Sequence, residues 1–539
     1  MTRRRPFKIA VFVLCSVFFL LMARQARVHT PDKPVDAHGT RPVRIVDESS
    51  GMPIEGAFLT SGNEIERTDK DGVGYVRLDE NKGQAELKVG VRARGYQRKE
   101  ESIPLPQEFR PPLYTPEGAY FSLHEILLGE PEEFSRVPQE VKLKTFTPRA
   151  LYLSFYGIGD RRIRESALRL IEETELNALV IDVKGDKGMI PYPSSIPLAS
   201  EVGAQKIITV RDIKSLLTSF REKGIYTIAR IVVFKDNLLA EKMPTLAVRT
   251  KNGQVWRDRE GLAWVDPFKK EVWDYNVKIA IEAAQQGFDE IQFDYVRFPD
   301  ASAPQFSMAN TQENRVQAVA GFLKEAREKL LSYNIFLSAD IFGYVCWNVN
   351  DTLIGQTLDD LLPHVDYLAP MLYPSGFQYG IPGYRVPVTN PYEIVHLTLK
   401  KAQERTMVSP LRFRPWLQAF RDYAFDRRSF EEKEIKDQLR SLLFNLKDDE
   451  GNQIIQSIFE KDEIYRGPFA GNGPDLVCLP KSGFDLKGNM RKQQVFTTDV
   501  FRGMHTWDNA VLVAPTHVKV EGDMNIEYPS KVIIDYFSG

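Results

Sequence analysis

The chain has 539 residues, of which 43% are hydrophobic and 11% are aromatic. That length is too great for one ordinary domain, so we expect about two or three domains. The formal net charge is only −2 at pH 7, and no long block of one sign occurs. Nucleic acid is therefore excluded as the main partner, because its binding relies on a clustered excess of Lys and Arg.

Residues 1–26 are predicted to be a signal peptide or a signal anchor. Arg3, Arg4, Arg5 and Lys8 precede an unbroken apolar run over residues 9–23, which is the pattern of a secretory signal. The run is shorter than the roughly 20 residues of a spanning helix, yet no small-x-small cleavage site follows it, so both alternatives stay open. We expect an exported protein of the bacterial cell envelope, periplasmic or extracellular. An uncleaved segment would anchor it to the inner membrane.

After a polar linker over residues 27–40, residues 41–104 show short alternating runs separated by Gly and Asp turns. This pattern predicts a small all-β sandwich. The phrases DESSGMPIEGA, TDKDG and GY resemble the transthyretin-like or carboxypeptidase-regulatory-like modules of exported bacterial proteins, which implies a spacer or adhesion domain. Residues 105–148 are rich in Pro and are predicted to be an extended connector.

Residues 149–430 are predicted to form a (β/α)₈-type barrel. Seven strand-like apolar runs, from ALYLSFYGI to RPWLQAF, each precede a helical pattern. Such an alternation indicates a parallel sheet with helical crossovers. No glycine-rich dinucleotide turn follows any of these strands, which favours a closed barrel over a doubly wound sheet.

Strand alternation then predicts which side chains face the barrel interior, where the chemistry of such folds sits at the C-terminal strand ends. Ile291 and Phe293 share the apolar face that should pack on helices, so Asp294 points inward. The same reasoning directs these residues to the same end of other strands: Asp182, Lys184, Arg230, Asp340, Tyr373, Trp416 and Gln418. A shared end on six strands predicts one functional site.

Paired carboxylates in this position point to glycoside cleavage. One carboxyl protonates the leaving oxygen, and a second stabilises or attacks an oxocarbenium-like centre. Asp294 and Asp340 lie on neighbouring strands, about 4.8 Å apart, which is compatible with the roughly 5–5.5 Å separation of a retaining mechanism. Arg230 or Arg297 is expected to keep Asp294 ionised. Asp340 is expected to stay protonated in apolar surroundings, as the acid.

The remaining candidates are predicted to bind substrate, since polar groups orient sugars and aromatic faces pack on their rings. They are Asp182, Lys184, Arg230, Tyr295, Arg297, Tyr373, Trp416 and Gln418. We expect a carbohydrate as substrate, no cofactor and no metal. The three cysteines of the chain support neither a disulfide framework nor a cysteine-based zinc site.

The series LVIDVKGDKG, YTIARIVVFKD, IQFDYVRFP, LSADIFGY, YLAPMLYPS and RPWLQAF resembles a family of bacterial glycoside hydrolases with a TIM-barrel domain. The resemblance covers residues 151–425, and IQFDYVRFP is its most specific phrase. It implies that Asp294 and Asp340 are the prime site residues, and it supplies no substrate.

The pattern changes over residues 431–539, where no eighth strand is evident. The segments EIYRGPFAGNGPDLVCLPKSGFDLKG and FRGMHTWDNAVLVA resemble the C-terminal part of alkaline-phosphatase-like phosphodiesterases, which implies a metal-binding role for His505. Nothing upstream supplies the other ligands of such a two-metal site, so an inert remnant is favoured. A strand near Val477 is considered as a substitute eighth strand.

The sequence thus favours an exported glycoside hydrolase acting on a polysaccharide or a cell-envelope glycan. A non-catalytic carbohydrate-binding envelope protein is the alternative, because the barrel looks incomplete. A metal-dependent phosphodiesterase is the third hypothesis and rests on the tail alone.

Overall fold

The computed structural model describes residues 40–77, 86–104, 138–301, 304–444, 452–464 and 476–481. The predicted signal segment 1–26, the linker up to residue 39, most of the connector and His505 lie outside these ranges. Among the helices that are described, none is both long enough and apolar enough to cross a membrane.

Two small sheets form the N-terminal part of the structure. Their strands are β1 (Thr40–Asp47), β2 (Phe58–Ser61), β3 (Glu64–Arg67), β4 (Val73–Arg77), β5 (Glu86–Arg92), β6 (Lys99–Pro104) and β7 (Gln139–Leu143). One sheet has the order β4-β1-β7 and the other β3-β2-β5-β6. Alternate residues such as Val43, Val89 and Val141 fill the core between them. Strand β7 comes from the predicted connector and pairs in parallel with β1.

A curled, all-parallel six-stranded sheet forms the second part, in the order β8-β9-β10-β11-β12-β13. Its strands are β8 (Ala150–Leu153), β9 (Ala178–Lys184), β10 (Tyr226–Val232), β11 (Glu290–Asp294), β12 (Phe336–Phe342) and β13 (Tyr367–Met371). The chain over residues 413–416 continues the curl, because Leu368 bridges in parallel to Phe413 and Met371 to Trp416. This arrangement is an incomplete (β/α) barrel, as the sequence predicted.

Helices connect the barrel strands and follow them. They are α1 (Phe155–Gly159), α2 (Arg161–Glu173), α3 (Pro197–Glu201), α4 (Ile213–Glu222), α5 (Asn237–Lys242), α6 (Lys270–Gln286), α7 (Gln312–Leu330), α8 (Leu358–Leu361), α9 (Pro391–Thr406), α10 (Glu432–Phe444) and α11 (Lys461–Ile464). Short 3₁₀ turns lie at Pro244–Leu246, Leu331–Tyr333, Gly343–Cys346, Leu362–His364, Pro374–Gly376, Pro387–Thr389 and Pro410–Arg412.

Side-chain caps explain where several of these helices begin. Asp160, Asp212 and Thr311 accept hydrogen bonds from backbone N–H groups in the first turns of α2, α4 and α7. These caps satisfy donors that a helix start leaves free.

The two faces of the curled sheet bury different residues. Leu179, Ile181 and Phe293 pack outward in the large core shared with the helices. The interior face begins, at the N-terminal strand ends, with an apolar layer of Ala178, Val180, Tyr226, Ile228, Phe336 and Tyr367. Above this layer the interior becomes polar. The period of two along each strand therefore separates a helix-facing core from a polar interior.

An open seam separates β8 from the segment 413–416, since no strand of the described residues lies between them. The rings of Tyr152 and Trp416 meet across it, with centroids 6.0 Å apart and planes at 80°. Strands β14 (Ile455–Glu460) and β15 (Leu476–Pro480) form an antiparallel sheet of their own. The suggestion that Val477 supplies an eighth barrel strand is therefore wrong, because its backbone pairs with Phe459 instead.

The N-terminal sheets pack against the end of the barrel opposite the predicted site. Arg98 forms an ion pair with Asp289, which precedes β11, at 3.0 Å. Its guanidinium also donates to the carbonyls of Phe288 and Asn334 at 3.0 and 3.3 Å. The face at the C-terminal strand ends is consequently not covered by these sheets.

Candidate active site

Arg230, on the interior face of β10, lies at the centre of three aspartates. Its Nη1 donates to Oδ1 of Asp182 at 2.6 Å, and its Nε donates to Oδ2 of Asp294 at 3.0 Å. Its Nη2 also contacts that Oδ2 of Asp294. Oδ2 of Asp340 lies 4.0 Å from Nε. Burial lowers the pKa of Arg230, but the charges of Asp294 and Asp182 raise it well above its usual value. The site therefore holds a permanent cation.

Asp340, on β12, carries the most perturbed carboxyl of the cluster. Its side chain is buried, with only 1% of the residue exposed. Burial raises its pKa well above the usual value, and the charge of Asp294 raises it further, against opposing effects of Arg230 and Trp416. Nε1 of Trp416 donates to Oδ1 at 2.8 Å. Oδ2 has no hydrogen-bond partner among the described residues, so it is the oxygen available to carry a proton.

Asp294 and Asp340 both face Nε of Arg230, which lies 3.0 Å from Oδ2 of Asp294 and 4.0 Å from Oδ2 of Asp340. The sequence predicted two carboxyls on neighbouring strands, at a spacing compatible with the roughly 5–5.5 Å separation of a retaining mechanism. The structure brings both side chains to the guanidinium of Arg230. A proton on Asp340 removes the repulsion that two neighbouring carboxylates would feel.

Asp182, on β9, is occupied entirely by protein donors. Oδ2 accepts from the Tyr152 hydroxyl at 2.7 Å and from the backbone N–H of Phe155 at 3.2 Å, while Oδ1 accepts from Arg230. This carboxylate fixes the orientation of Arg230. We had not singled out Tyr152, although its position between Leu151 and Leu153 would have placed it on the interior face by the same alternation.

Tyr295, directly after Asp294, has a strained backbone with φ of +48°. That conformation costs a non-glycine residue about 1–3 kcal/mol and is frequent at functional sites. It allows the backbone N–H of Tyr295 to donate to Oδ1 of Asp294 at 2.5 Å. The ring lies under two cations, with Lys235 at 5.2 Å and Arg297 at 5.0 Å from its centroid.

The sequence predicted that Arg230 or Arg297 would lie beside Asp294, and Arg297 does not. Its guanidinium lies over the Trp264 ring at 5.1 Å, as well as over Tyr295, and donates to the carbonyl of Phe298 at 3.0 Å. Arg230 alone fills the cationic role at Asp294 among the residues described. Arg297 supports the wall formed by the two aromatic rings.

Lys184 is not brought into the cluster. Arg230 pairs with Asp182, but its neighbour Ile231 pairs with Lys184, so β9 bulges at Val183. The bulge reverses the alternation that had placed Lys184 inward. Its ammonium is fully buried behind the strand and contacts Oδ2 of Asp236 at 2.6 Å.

Gln418 is likewise removed from the cluster, because the chain leaves the sheet after Trp416. Its side-chain amide donates to Oγ of Ser375 at 2.8 Å and accepts from the Ser375 backbone N–H at 3.0 Å. Its backbone N–H donates to the side chain of Gln438 in α10 at 2.8 Å. The residue fixes the loop that follows the seventh strand-like segment.

Tyr373 completes the aromatic side of the site. Burial raises the pKa of its hydroxyl, and the charges of Asp340 and Asp294 raise it further. Tyr373 follows β13 directly after Leu372, whose backbone N–H donates to the carbonyl of Trp416 at 3.1 Å. Its ring packs edge-on against Phe420, with centroids 5.1 Å apart. Tyr373 and Trp416 therefore flank the two carboxyls with partly accessible rings.

The described parts of the chain contain no group of three or more His, Cys, Asp or Glu side chains arranged for a metal ion. The three aspartates of the site are arranged around the guanidinium of Arg230 instead.

Residues 150–450 match the model of a family described as "Putative glycosyl hydrolase domain". The match covers more than half of the 539 residues. The chain belongs to this family. Membership identifies it as a glycoside hydrolase, and its substrate is accordingly a carbohydrate.

Solved structures also resemble this member of the glycosyl hydrolase family. A hypothetical protein from Ruminiclostridium thermocellum ATCC 27405 is 39% identical over 35% of this chain and 96% of its own, with a TM-score of 0.33. The glycoside hydrolase domain of PgaB (BpsB) from Bordetella bronchiseptica is 13% identical over 55% and 91%, with a TM-score of 0.40. A chitinase from Chromobacterium violaceum ATCC 12472 is 14% identical over 51% and 69%, with a TM-score of 0.30. No curated protein matches the chain.

Proposed function

We propose that the barrel cleaves glycosidic bonds with Asp340 as the acid and Asp294 as the carboxylate that stabilises positive charge at the anomeric carbon. The observation that carries this proposal is the unequal state of two adjacent carboxyls. One is buried with a raised pKa, and the other is bound by Arg230. Acid-assisted glycoside cleavage requires one carboxyl that keeps its proton and a second that is ionised.

In this mechanism a glycosidic oxygen reaches Asp340 and accepts a hydrogen bond from its protonated carboxyl. The C–O bond then breaks, the leaving alcohol takes that proton, and positive charge develops on the anomeric carbon. The carboxylate of Asp294, already oriented by Arg230 and by the N–H of Tyr295, stabilises that charge without reorganisation. Water then adds to the anomeric carbon, its hydroxyl completes the new reducing end, and its other proton returns to the Asp340 carboxylate.

Asp182 acts through Arg230 and is a positioning residue. Its two oxygens accept from Tyr152, Phe155 and Arg230, so the guanidinium is held from the side remote from Asp294. Without that anchor, Arg230 would be free to neutralise Asp340 and to lower the pKa on which the acid depends.

The test uses the full chain and a panel of purified polysaccharides and cell-envelope glycans, with released reducing ends as the readout. We expect Asp294→Asn and Asp340→Asn each to lower turnover by about 10²–10⁴-fold, the usual range for a general acid or a charge-stabilising group. Asp359→Asn, at an exposed position in the first turn of α8, is the matched control and should retain activity. Full turnover by Asp294→Asn would refute the assignment.

We also propose that the enzyme works outside the cytoplasm. The basis is the sequence of residues 1–26, where basic residues precede an apolar run. Fractionation of cells that express the full chain should recover it from the envelope or the medium. Recovery from the cytoplasm alone would contradict export, and extraction only by detergent would favour an uncleaved anchor.

A further inference from the structure

The loop after the seventh strand-like segment is organised around a buried aspartate. Asp422 is 1% exposed. Its Oδ1 accepts from the Ser375 hydroxyl at 2.6 Å, and its Oδ2 accepts from the backbone N–H groups of Phe425, Asp426 and Arg427 at 2.8, 2.8 and 2.9 Å. Burial would raise the pKa of Asp422, but these hydrogen bonds lower it. The loop is thus held in one conformation by a charged acceptor.

This ordered loop presents two large aromatic side chains to solvent. Phe420 is 43% exposed and Tyr423 is 47% exposed. Their rings are nearly parallel, at 12°, with centroids 6.2 Å apart. Single exposed apolar residues are ordinary. A rigidly held pair beside a polar cleft is different, because it keeps two apolar ring surfaces in water at a fixed position, where a ligand can cover them.

The pair is continuous with the proposed active site. Phe420 contacts Tyr373 edge-on at 5.1 Å. Tyr373 follows Leu372, which is hydrogen-bonded to Trp416, and Trp416 donates to Asp340 at 2.8 Å. Tyr373, Phe420 and Tyr423, which we call the aromatic strip, therefore lead from the reacting carboxyls to the surface in two ring-to-ring steps. Each step is on the scale of one sugar ring.

We propose that Phe420 and Tyr423 form a binding subsite for neutral sugar rings adjacent to the cleaved bond, so that the substrate is a glycan chain and not a short glycoside. The apolar C–H face of a pyranose packs on an aromatic ring, while its hydroxyls stay in water. A preformed aromatic surface suits such a ligand, because little conformational entropy is lost on binding. This inference rests on the proposed function and adds the substrate class.

The test separates binding from cleavage by working in the Asp340→Asn background, in which a bound chain is cut about 10²–10⁴-fold more slowly. The probe is a printed array of neutral oligosaccharides of graded length, from monosaccharides to hexasaccharides. We expect the parent to bind longer chains more tightly. Adding Phe420→Ala and Tyr423→Ala should weaken binding of those chains by at least about tenfold, without affecting the shortest ligands.

Two controls show that the effect comes from the rings. Phe420→Tyr with Tyr423→Phe keeps both aromatic faces and should preserve binding. Tyr75→Ala removes a comparably exposed tyrosine, 52% exposed, from β4 in the N-terminal sheets and should change nothing. Thermal unfolding of each variant checks that the fold is retained.

Equal affinity of parent and double alanine variant for every chain length would overturn the proposal, as would absence of binding to any oligosaccharide. The proposed function can fail separately. If Asp294→Asn turned over substrate fully while the double alanine variant lost long-chain binding, the subsite would stand and the catalytic assignment would not.

Discussion

The indole Nε1 of Trp416 donates a hydrogen bond of 2.8 Å to Oδ1 of Asp340. Trp416 was predicted to bind a sugar with its ring face, but this contact gives it a second task. It leaves Oδ2 as the oxygen that carries the acid proton, and it lowers the raised pKa of Asp340. Stacking on a sugar and control of the acid can be separated by substitution.

Trp416→Phe keeps an aromatic ring and removes the donor. The pKa of Asp340 should rise, because the hydrogen bond that favours its charged form is lost. We expect the alkaline limb of the pH–rate profile to move to higher pH, and the maximal rate to fall roughly fivefold for a loss of about 1 kcal/mol. Trp347→Phe is the control, since Trp347 donates to Thr398 at 2.9 Å outside the site. A profile with an unmoved alkaline limb would leave Trp416 only a stacking role.

Asp340→Asn should raise the stability of the protein at neutral pH. The folded state keeps a proton on Asp340 that the unfolded chain releases above its ordinary pKa of about 3.9. The free energy of unfolding therefore falls as the pH rises from that value towards the raised folded-state pKa. An amide accepts from Trp416 at the same position without titrating. By calorimetry, we expect the melting temperature of the variant to exceed that of the wild type near pH 7 and to equal it near pH 3. Identical pH dependence of the two proteins would contradict the raised pKa.

Lys184→Met should destabilise the barrel while leaving substrate affinity unchanged. Removing one partner of a buried ion pair costs about 3–5 kcal/mol, and the Lys184–Asp236 pair is almost fully buried. Lys278→Met is the control, because its pair with Asp274 has the same 2.6 Å distance on the surface and should be worth no more than about 1 kcal/mol. Urea unfolding gives the two losses. A rise in KM for folded Lys184→Met would show that the lysine does bind substrate.

Gly188→Ala should lower the free energy of unfolding by more than backbone strain alone explains. Gly188 has φ of +82°, and a Cβ there would collide with the Asp236 carboxylate. Gly203 has φ of +78° with open space around the added carbon, so Gly203→Ala measures strain by itself, about 1–2 kcal/mol. We expect Gly188→Ala to lose roughly 2 kcal/mol more in urea unfolding. Equal losses would mean that the loop relaxes without disturbing Asp236.

Much of the barrel was predictable because helical crossovers and strand alternation can be recognised from short stretches of sequence. The interior direction of Asp182, Asp294 and Arg230 follows from a period of two and needs no long-range information. Lys184 illustrates the limit, because a single bulged residue, Val183, reverses the rule and leaves no clear mark in the sequence.

Other features depend on contacts between distant segments. Gln418 was placed in the site by continuing a strand that ends at Trp416, and only the pairing of that segment with β13 reveals the end. The pairing of β7 with β1 joins residues that are far apart in the chain. The loop around Asp422 depends on Ser375, which belongs to another strand–helix unit.

The open seam of the barrel determines the order in which activity and secondary structure are lost on heating. Tyr152 and Trp416 are the residues that meet across it, and they are also the donors that hold Asp182 and Asp340. The edge with the fewest backbone pairings is thus the edge on which the acid depends. On heating, the seam between Tyr152 and Trp416 should open before the helices unfold. Catalytic activity should therefore be lost at temperatures where the secondary structure is still intact.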